Sequence, residues 1–282
     1  SEVRADEGMG IYAAGYANWI IAGDVSGLVG MEIRAGTLTM SSGSISGSDT
    51  FTPLSPNGDG STSSSGAGLV ISQHTTDLPI SVTINGGTIS GAYAMYQQNV
   101  EDGNDAYKIT LSISGGNFTS TSSSGAAVYS EDKTGFISGG TFSSDVTAYC
   151  DEGFKPIYNG TSYVVQAVHT VTFNYNGGIQ VVVLDGDTVD VPDLPVREGY
   201  SYYFSVNDVE WDFSTAITQD IVIDVTEYIS DIVVNVTFGI DSSGNVTFTA
   251  TATSSVVQDF TYYWNYEGDE GNMYEGQTIT NL

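Results

Sequence analysis

The chain has 282 residues, more than the roughly 100–200 of one domain, and its 40% hydrophobic and 11% aromatic content excludes a wholly disordered acidic tail. Six Lys and Arg against 34 Asp and Glu leave a net charge of −28 although only 14% of residues are charged, so the acidity comes from missing cations. Nucleic acid and anionic membrane surfaces are therefore excluded as partners, since both are held by Lys and Arg, and no apolar run approaches the ~20 residues of a bilayer span.

Four segments of the first half align on a glycine: 38–45, 82–89, 111–118 and 135–142. Three places before the anchors Gly43, Gly87, Gly116 and Gly140 stand Met40, Ile84, Ile113 and Ile137. Two places after them stand Ile45, Ile89, Phe118 and Phe142. Both columns are apolar within period-2 alternation, which predicts short strands on either side of a corner where glycine supplies positive φ or a close approach. A second motif, Gly66-Ala67-Gly68-Leu69-Val70, Gly91-Ala92-Tyr93-Ala94-Met95 and Gly125-Ala126-Ala127-Val128-Tyr129, predicts a second strand in each of these repeats.

The anchors lie 44, 29 and 24 residues apart. Variable spacing with constant strand motifs predicts a right-handed parallel β-helix whose insertions, the longest at 48–66, go into outer loops. Residues 10–13 and 19–25 read as earlier coils, and the aromatic-rich stretch 142–165 as a terminal coil. In Phe136-Ile137-Ser138-Gly139-Gly140-Thr141-Phe142-Ser143 and this last coil, the region resembles the β-helical parts of bacterial and archaeal adhesin-like surface proteins.

Near Ala167 the composition shifts to Val-rich strands. Asn176-Gly177 and Asp185-Gly186 are hairpin signals predicting antiparallel neighbours, and Pro192 and Pro195 keep the connector out of a central strand. Val171-Thr172-Phe173-Asn174-Tyr175-Asn176-Gly177-Gly178, Arg197-Glu198-Gly199-Tyr200 and Trp211-Asp212-Phe213-Ser214-Thr215 are similar to the internalin-type B repeat (Listeria-Bacteroides repeat) family over about residues 169–226. Phe204-Ser205 stand where that family usually carries Gly-Trp. The resemblance implies a small β-grasp-like spacer module of surface proteins, without known catalysis.

Residues 229–282 alternate again and are similar to the first half of an immunoglobulin-like or PKD-type sandwich, which takes ~100 residues and about seven strands. Either more chain or a partner strand completes it. The expected architecture is thus all-β, with a parallel β-helix and cap over 1–166, a B-repeat-like domain over 167–228 and a partial Ig-like sandwich over 229–282.

For chemistry, Arg4, Arg34, Lys108, Lys133 and Lys155 are scattered through the first half, which argues against uronate lyase chemistry. Asp77, the set Glu101, Asp102 and Asp105, and the pair Glu131 and Asp132 each follow the second motif of successive repeats, predicting an acidic ledge along one corner. A ledge of this kind is the candidate ligand surface, and two of its carboxylates could serve a glycoside hydrolase if they stand about 5–9.5 Å apart. Turn residues that keep the repeats soluble explain it as well. Asn57 and Asp59, in Asn57-Gly58-Asp59-Gly60, make a candidate weak Ca²⁺ loop, though Ser55 and Gly66 replace the first and last acidic ligands. No other cofactor is implied. His74 lies in an expected turn and His169 at the start of a strand in a different expected domain, no Ser-His-Asp or Cys-His set is visible, and Cys150 is the single cysteine. Tyr262, Trp264 and Tyr266 share a strand face and read either as a sugar platform or as core.

The expectation is an extracellular, surface-displayed, adhesin-like binding protein, not an enzyme, whose partner is a glycan or the surface protein of a host or neighbouring cell. A β-helical glycoside hydrolase and a self-assembling subunit of a surface layer or fibre are the alternatives. Sequons at Asn117, Asn159, Asn235 and Asn245 would carry glycans in a glycosylating source.

Overall fold

The structure is a computed structural model describing residues 1–53, 63–73, 77–99, 108–240, 242–257, 259–264 and 274–280. The protein is all-β, with no α-helix among the described residues and none long and apolar enough to cross a membrane. It divides into two compact units, Ser1–His169 and Thr170–Leu282.

The first unit contains three parallel ladders. One joins Asn18–Ile21, Gly36–Met40, residues 80–84 of Ile80–Gly91 and residues 109–113 of Ile109–Ser120. A second joins Glu2–Arg4, Asp24–Ser26, Ser44–Ser46, the later halves of the same two long strands, and Thr141–Phe142. The third joins Met9–Ala13, Val29–Ile33, Ala67–Ile71, Tyr93–Gln97 and Val128–Ser130. From its first strand the chain visits second, third and first ladder in that cyclic order.

The glycine-anchored columns are the observed registers. Met40 pairs with Ile84, Ile84 with Ile113, and Ile113 bridges to Ile137. Ile45 pairs with Ile89, Ile89 with Phe118, and Phe118 with Phe142. All eight are essentially inaccessible to solvent and belong to one apolar cluster. Between the columns the anchors turn the corner with φ of 83° at Gly43, 89° at Gly87, 99° at Gly116 and 109° at Gly140. A side chain at these positions would be strained, which is why glycine recurs there.

In the third ladder the leading glycines do not share a column. Ala67 pairs with Tyr93, Leu69 with Met95 and Met95 with Val128, so Ala92 stands level with Gly66 and Gly125. The reason is that Gly91 ends the preceding strand Ile80–Gly91. The strands Val29–Ile33 and Ala67–Ile71 are buried on both faces. Their outer side chains Val29, Ala67 and Val70 pack against Met9, Phe51 and Tyr96 in a small satellite cluster. Tyr96 stacks on Tyr129 with centroids 4.8 Å apart. The last ladder edge does not stay open, because Thr141 and Phe142 pair antiparallel with Val164 and Tyr163 of Tyr163–Asn174, which also pairs with Phe154–Tyr158.

In the second unit, Val171–Asn174 run parallel to Ile221–Asp224, and Ile221–Ile229 runs antiparallel to Tyr200–Val206. The turn at Asn176-Gly177 has φ of 45° and 101° and leads into Ile179–Leu184, which pairs with Tyr163–Asn174. Asp185-Gly186 also turns, with the Asp187 amide donating to Leu184 O at 3.0 Å, but no return strand comes after it. Residues 187–197 instead form neither strand nor turn, and Asp187 O accepts from the Ile217 amide at 2.8 Å. Pro192 and Pro195 in this stretch deny a sheet its donors. Phe204, standing where the resemblance leads one to expect Gly, fills the core against Phe173 and Phe213 at 6.2 and 5.0 Å.

Further along the same unit, Val233–Ile240 and Val246–Thr253 form an antiparallel hairpin, with Thr278–Thr280 on the far side of the second strand. A separate pair is Tyr263–Trp264 with Tyr274–Glu275.

Candidate functional site

The corner beyond the third ladder is where the acidic ledge is expected. Of its members, Asp77, Glu131 and Asp132 are described, whereas Glu101, Asp102 and Asp105 lie outside the described residues, as do His74, Asn57, Asp59 and Tyr266. Among the described residues no three His, Cys, Asp or Glu side chains group as a metal ion would need.

Polar side chains stack along this corner because the strands ahead of it are in register: Ile71 pairs with Gln97, and Gln97 with Ser130. Gln73 donates to Leu78 O at 2.9 Å and accepts from Asn99 Nδ2 at 3.1 Å. Gln97 Oε1 accepts from Ser130 Oγ at 2.7 Å, and Gln97 Nε2 donates to Asp132 Oδ2 at 3.4 Å. One residue on, Gln98 Nε2 donates to Glu131 Oε1 at 3.3 Å. Asp77 forms an ion pair with Lys108. At the start of the row Arg34, fully buried, donates to Tyr12 Oη at 2.7 Å and lies 3.9 Å from the Glu32 carboxylate.

Asp132, Glu131 and Asp77 therefore each receive a hydrogen bond or an ammonium group, from Gln97, Gln98 and Lys108. Such an arrangement satisfies polar groups at the edge of an apolar core, and each of these contacts joins segments 31 to 35 residues apart in sequence. Nearby, burial raises the Tyr96 phenol to about 12, with Tyr129 and Tyr93 adding to it. Burial also holds Tyr129 above, and Lys133 below, its ordinary value. The Cys150 thiol is raised to about 11 by burial first and Asp145 second, which keeps it protonated and a poor nucleophile at neutral pH.

In the second unit, Trp264 donates its Nε1–H to Gly276 O at 2.7 Å, and Tyr262 Oη accepts from the Ala252 amide at 3.0 Å. Both polar tips are thus committed within the fold.

The outer face of the first ladder carries a feature that no sequence motif marks. Asn18 pairs with Thr37, Thr37 with Ser81 and Ser81 with Thr110, giving one row of polar side chains across four strands. Its signal in the sequence is the polar position directly before an apolar one, Thr37 before Leu38 and Ser81 before Val82, but Ser and Thr are so frequent here that the signal merges with ordinary outward alternation.

No family model, no curated protein and no solved structure matches this chain.

Proposed function

We propose that the chain is an extracellular, cell-surface, adhesin-like protein that binds a glycan or a protein on a host or neighbouring cell without turning it over. Its binding part is a right-handed parallel β-helix with a C-terminal cap over 1–166. It is carried on a β-grasp-like, B-repeat domain over 167–228 and part of an Ig-like sandwich over 229–282. The reading needs no cofactor, Asn57 and Asp59 being the candidate for a weak Ca²⁺ and no other, and the acidic set Asp77, Glu101, Asp102, Asp105, Glu131 and Asp132 contributes to the ligand-facing surface.

The observation that carries this reading is the fixed cyclic order of the three ladders, joined at their third corner by carboxylates already engaged with Gln97, Gln98 and Lys108. An elongated stack of parallel strands offers long side surfaces, and corner carboxylates used as struts leave little for acid–base chemistry. Retention on immobilised polysaccharides and on fixed cells tests it. Binding to one of these supports the reading, and failure to bind any of them overturns it.

A second reading, a subunit of a surface layer or fibre, is favoured by Val233–Ile240. All eight residues of this edge strand are exposed, among them Val236 at 56%, Phe238 at 76% and Ile240 at 70%. An uncharged apolar edge of this kind is a template for another strand. Mass that grows with concentration in sedimentation favours the subunit, and a monomer throughout counts against it.

A further inference from the structure

The row Asn18, Thr37, Ser81 and Thr110 forms one side of an open groove of about 280 Å³ in the first unit. Ala17, Gly36 and Ile80 contribute apolar and backbone surface to it, and Tyr16, Pro79 and Lys108 complete the lining. We propose that this groove is a saccharide-binding site selective for neutral sugars. The inference deepens the adhesin-like reading and rests on it.

Three features define the ligand class. The first is the aromatic wall. Tyr16 is 71% exposed, too much for a core residue, and its ring offers a flat apolar surface for the C–H face of a pyranose beside the equally apolar Pro79. The second is the hydrogen-bonding row. Side chains in register on neighbouring strands recur at about 4.8 Å, so four polar groups face a ligand lying across the strands. Thr37 Oγ1 donates to Asn18 Oδ1 at 2.6 Å. That bond occupies the amide oxygen and leaves the Asn18 amide hydrogens as donors and the Thr37 hydroxyl, its proton committed, as an acceptor, while the hydroxyls of Ser81 and Thr110 accept or donate as required. A polyol, whose hydroxyls are both donors and acceptors, matches such a row; a purely apolar ligand would strand it.

The third feature is charge. Lys108 is the cation of the groove, and it is in an ion pair with Asp77. With that pair internally compensated and a net charge of −28 on the chain, an anionic sugar gains little locally and is repelled at long range. The volume lies just below the roughly 300–1,000 Å³ of clefts that enclose drug-sized ligands, which suits a ring or two of a chain lying partly in solvent. The site thus reads a short stretch of an exposed glycan.

The experiment uses the full chain with soluble neutral oligosaccharides (from β-glucan, mannan and galactan) and with oligogalacturonate, each followed by isothermal titration. Tyr16→Ala and the pair Thr37→Val with Ser81→Val are the variants, and their melting temperatures are recorded, because all three positions face outward and should leave the fold intact. The expected result is binding of at least one neutral oligosaccharide, weakened about tenfold or more in either variant at unchanged melting temperature, with oligogalacturonate not bound. Equal binding by the wild type and both variants overturns the groove while leaving a glycan-binding surface in place. Preferential binding of oligogalacturonate overturns the neutral selectivity and points to Lys108. Binding of no oligosaccharide overturns the groove, and retention on fixed cells in the same preparation then separates a protein-binding adhesin from failure of the adhesin-like reading itself.

Discussion

A methyl group placed on Gly68 would sit 2.8 Å from Ile89 Cγ2, and 2.6 Å from the carbonyl oxygen of Ser90. The same closeness recurs one repeat earlier between Gly30 and Ile45 Cγ2 at 2.7 Å, and before that between Gly10 and Val25 Cγ1 at 3.0 Å. None of these three glycines has a positive φ. Their small size is therefore a packing requirement: a column of glycine in the third ladder makes room for the large column of the second. Ala94 and Ala127 carry small side chains in the later repeats, both fully buried.

Gly68→Val should consequently cost at least the roughly 1–3 kcal/mol of an overpacked core, since backbone as well as a side chain blocks the added atoms. Gly15 has nothing within 4 Å of an added methyl and no positive φ, so Gly15→Ala should leave stability unchanged or raise it by up to about 1 kcal/mol. Urea titration of both variants checks the contrast.

Phe118 and Phe142 stack with centroids 4.9 Å apart and planes 15° off parallel, and both are buried. Phe118→Ala should lower stability by about 3–5 kcal/mol, and Phe118→Asp or Ile113→Asp should unfold the first unit, because each places a charge in a closed apolar column. An unchanged melting temperature for either Asp variant contradicts the register.

The corner geometry was legible because two constraints coincide at each anchor. Gly43, Gly87, Gly116 and Gly140 need positive φ, and the residues beside them alternate so strictly that a one-residue slip would expose Ile84 or Ile113. The third ladder was less legible. Two of its strands, Val29–Ile33 and Ala67–Ile71, are buried on both faces, so alternation does not fix their register, and Gly91 belongs to the strand before. Asp185-Gly186 misled for another reason: local turn chemistry was right, but a return strand needs backbone donors in residues 187–199, and Pro192 and Pro195 remove them. The outer row of Asn18, Thr37, Ser81 and Thr110 emerges only once the register is known, since its members come from four distant segments.

Tyr96 gives a pH signature. An unfolded tyrosine titrates near ~10, while Tyr96 in the fold titrates at about 12, chiefly because of burial. Below pH ~10 both states hold the proton and the stabilisation is fully present; above it the unfolded chain loses the proton first, so stability falls as pH rises through 10 to 12. Denaturation midpoints over this window should decline less steeply in Tyr96→Phe. Parallel declines in the two proteins contradict the partly buried position of Tyr96 against Phe51 and Tyr129.

Phe238 lies on a strand whose side chains face solvent throughout. Phe238→Lys should change stability by no more than about 0.5 kcal/mol and reduce any concentration-dependent association seen by sedimentation. Loss of several kcal/mol would show that the strand is covered within the chain.

Incubation of the full chain with neutral polysaccharides, recording bound protein and released reducing ends together, tests binding without turnover most directly. Retention with no release beyond the buffer control is the predicted result. Release that persists in the wild type and disappears in Glu131→Gln or Asp132→Asn would contradict it, and would make the corner carboxylates, now read as struts, the catalytic pair.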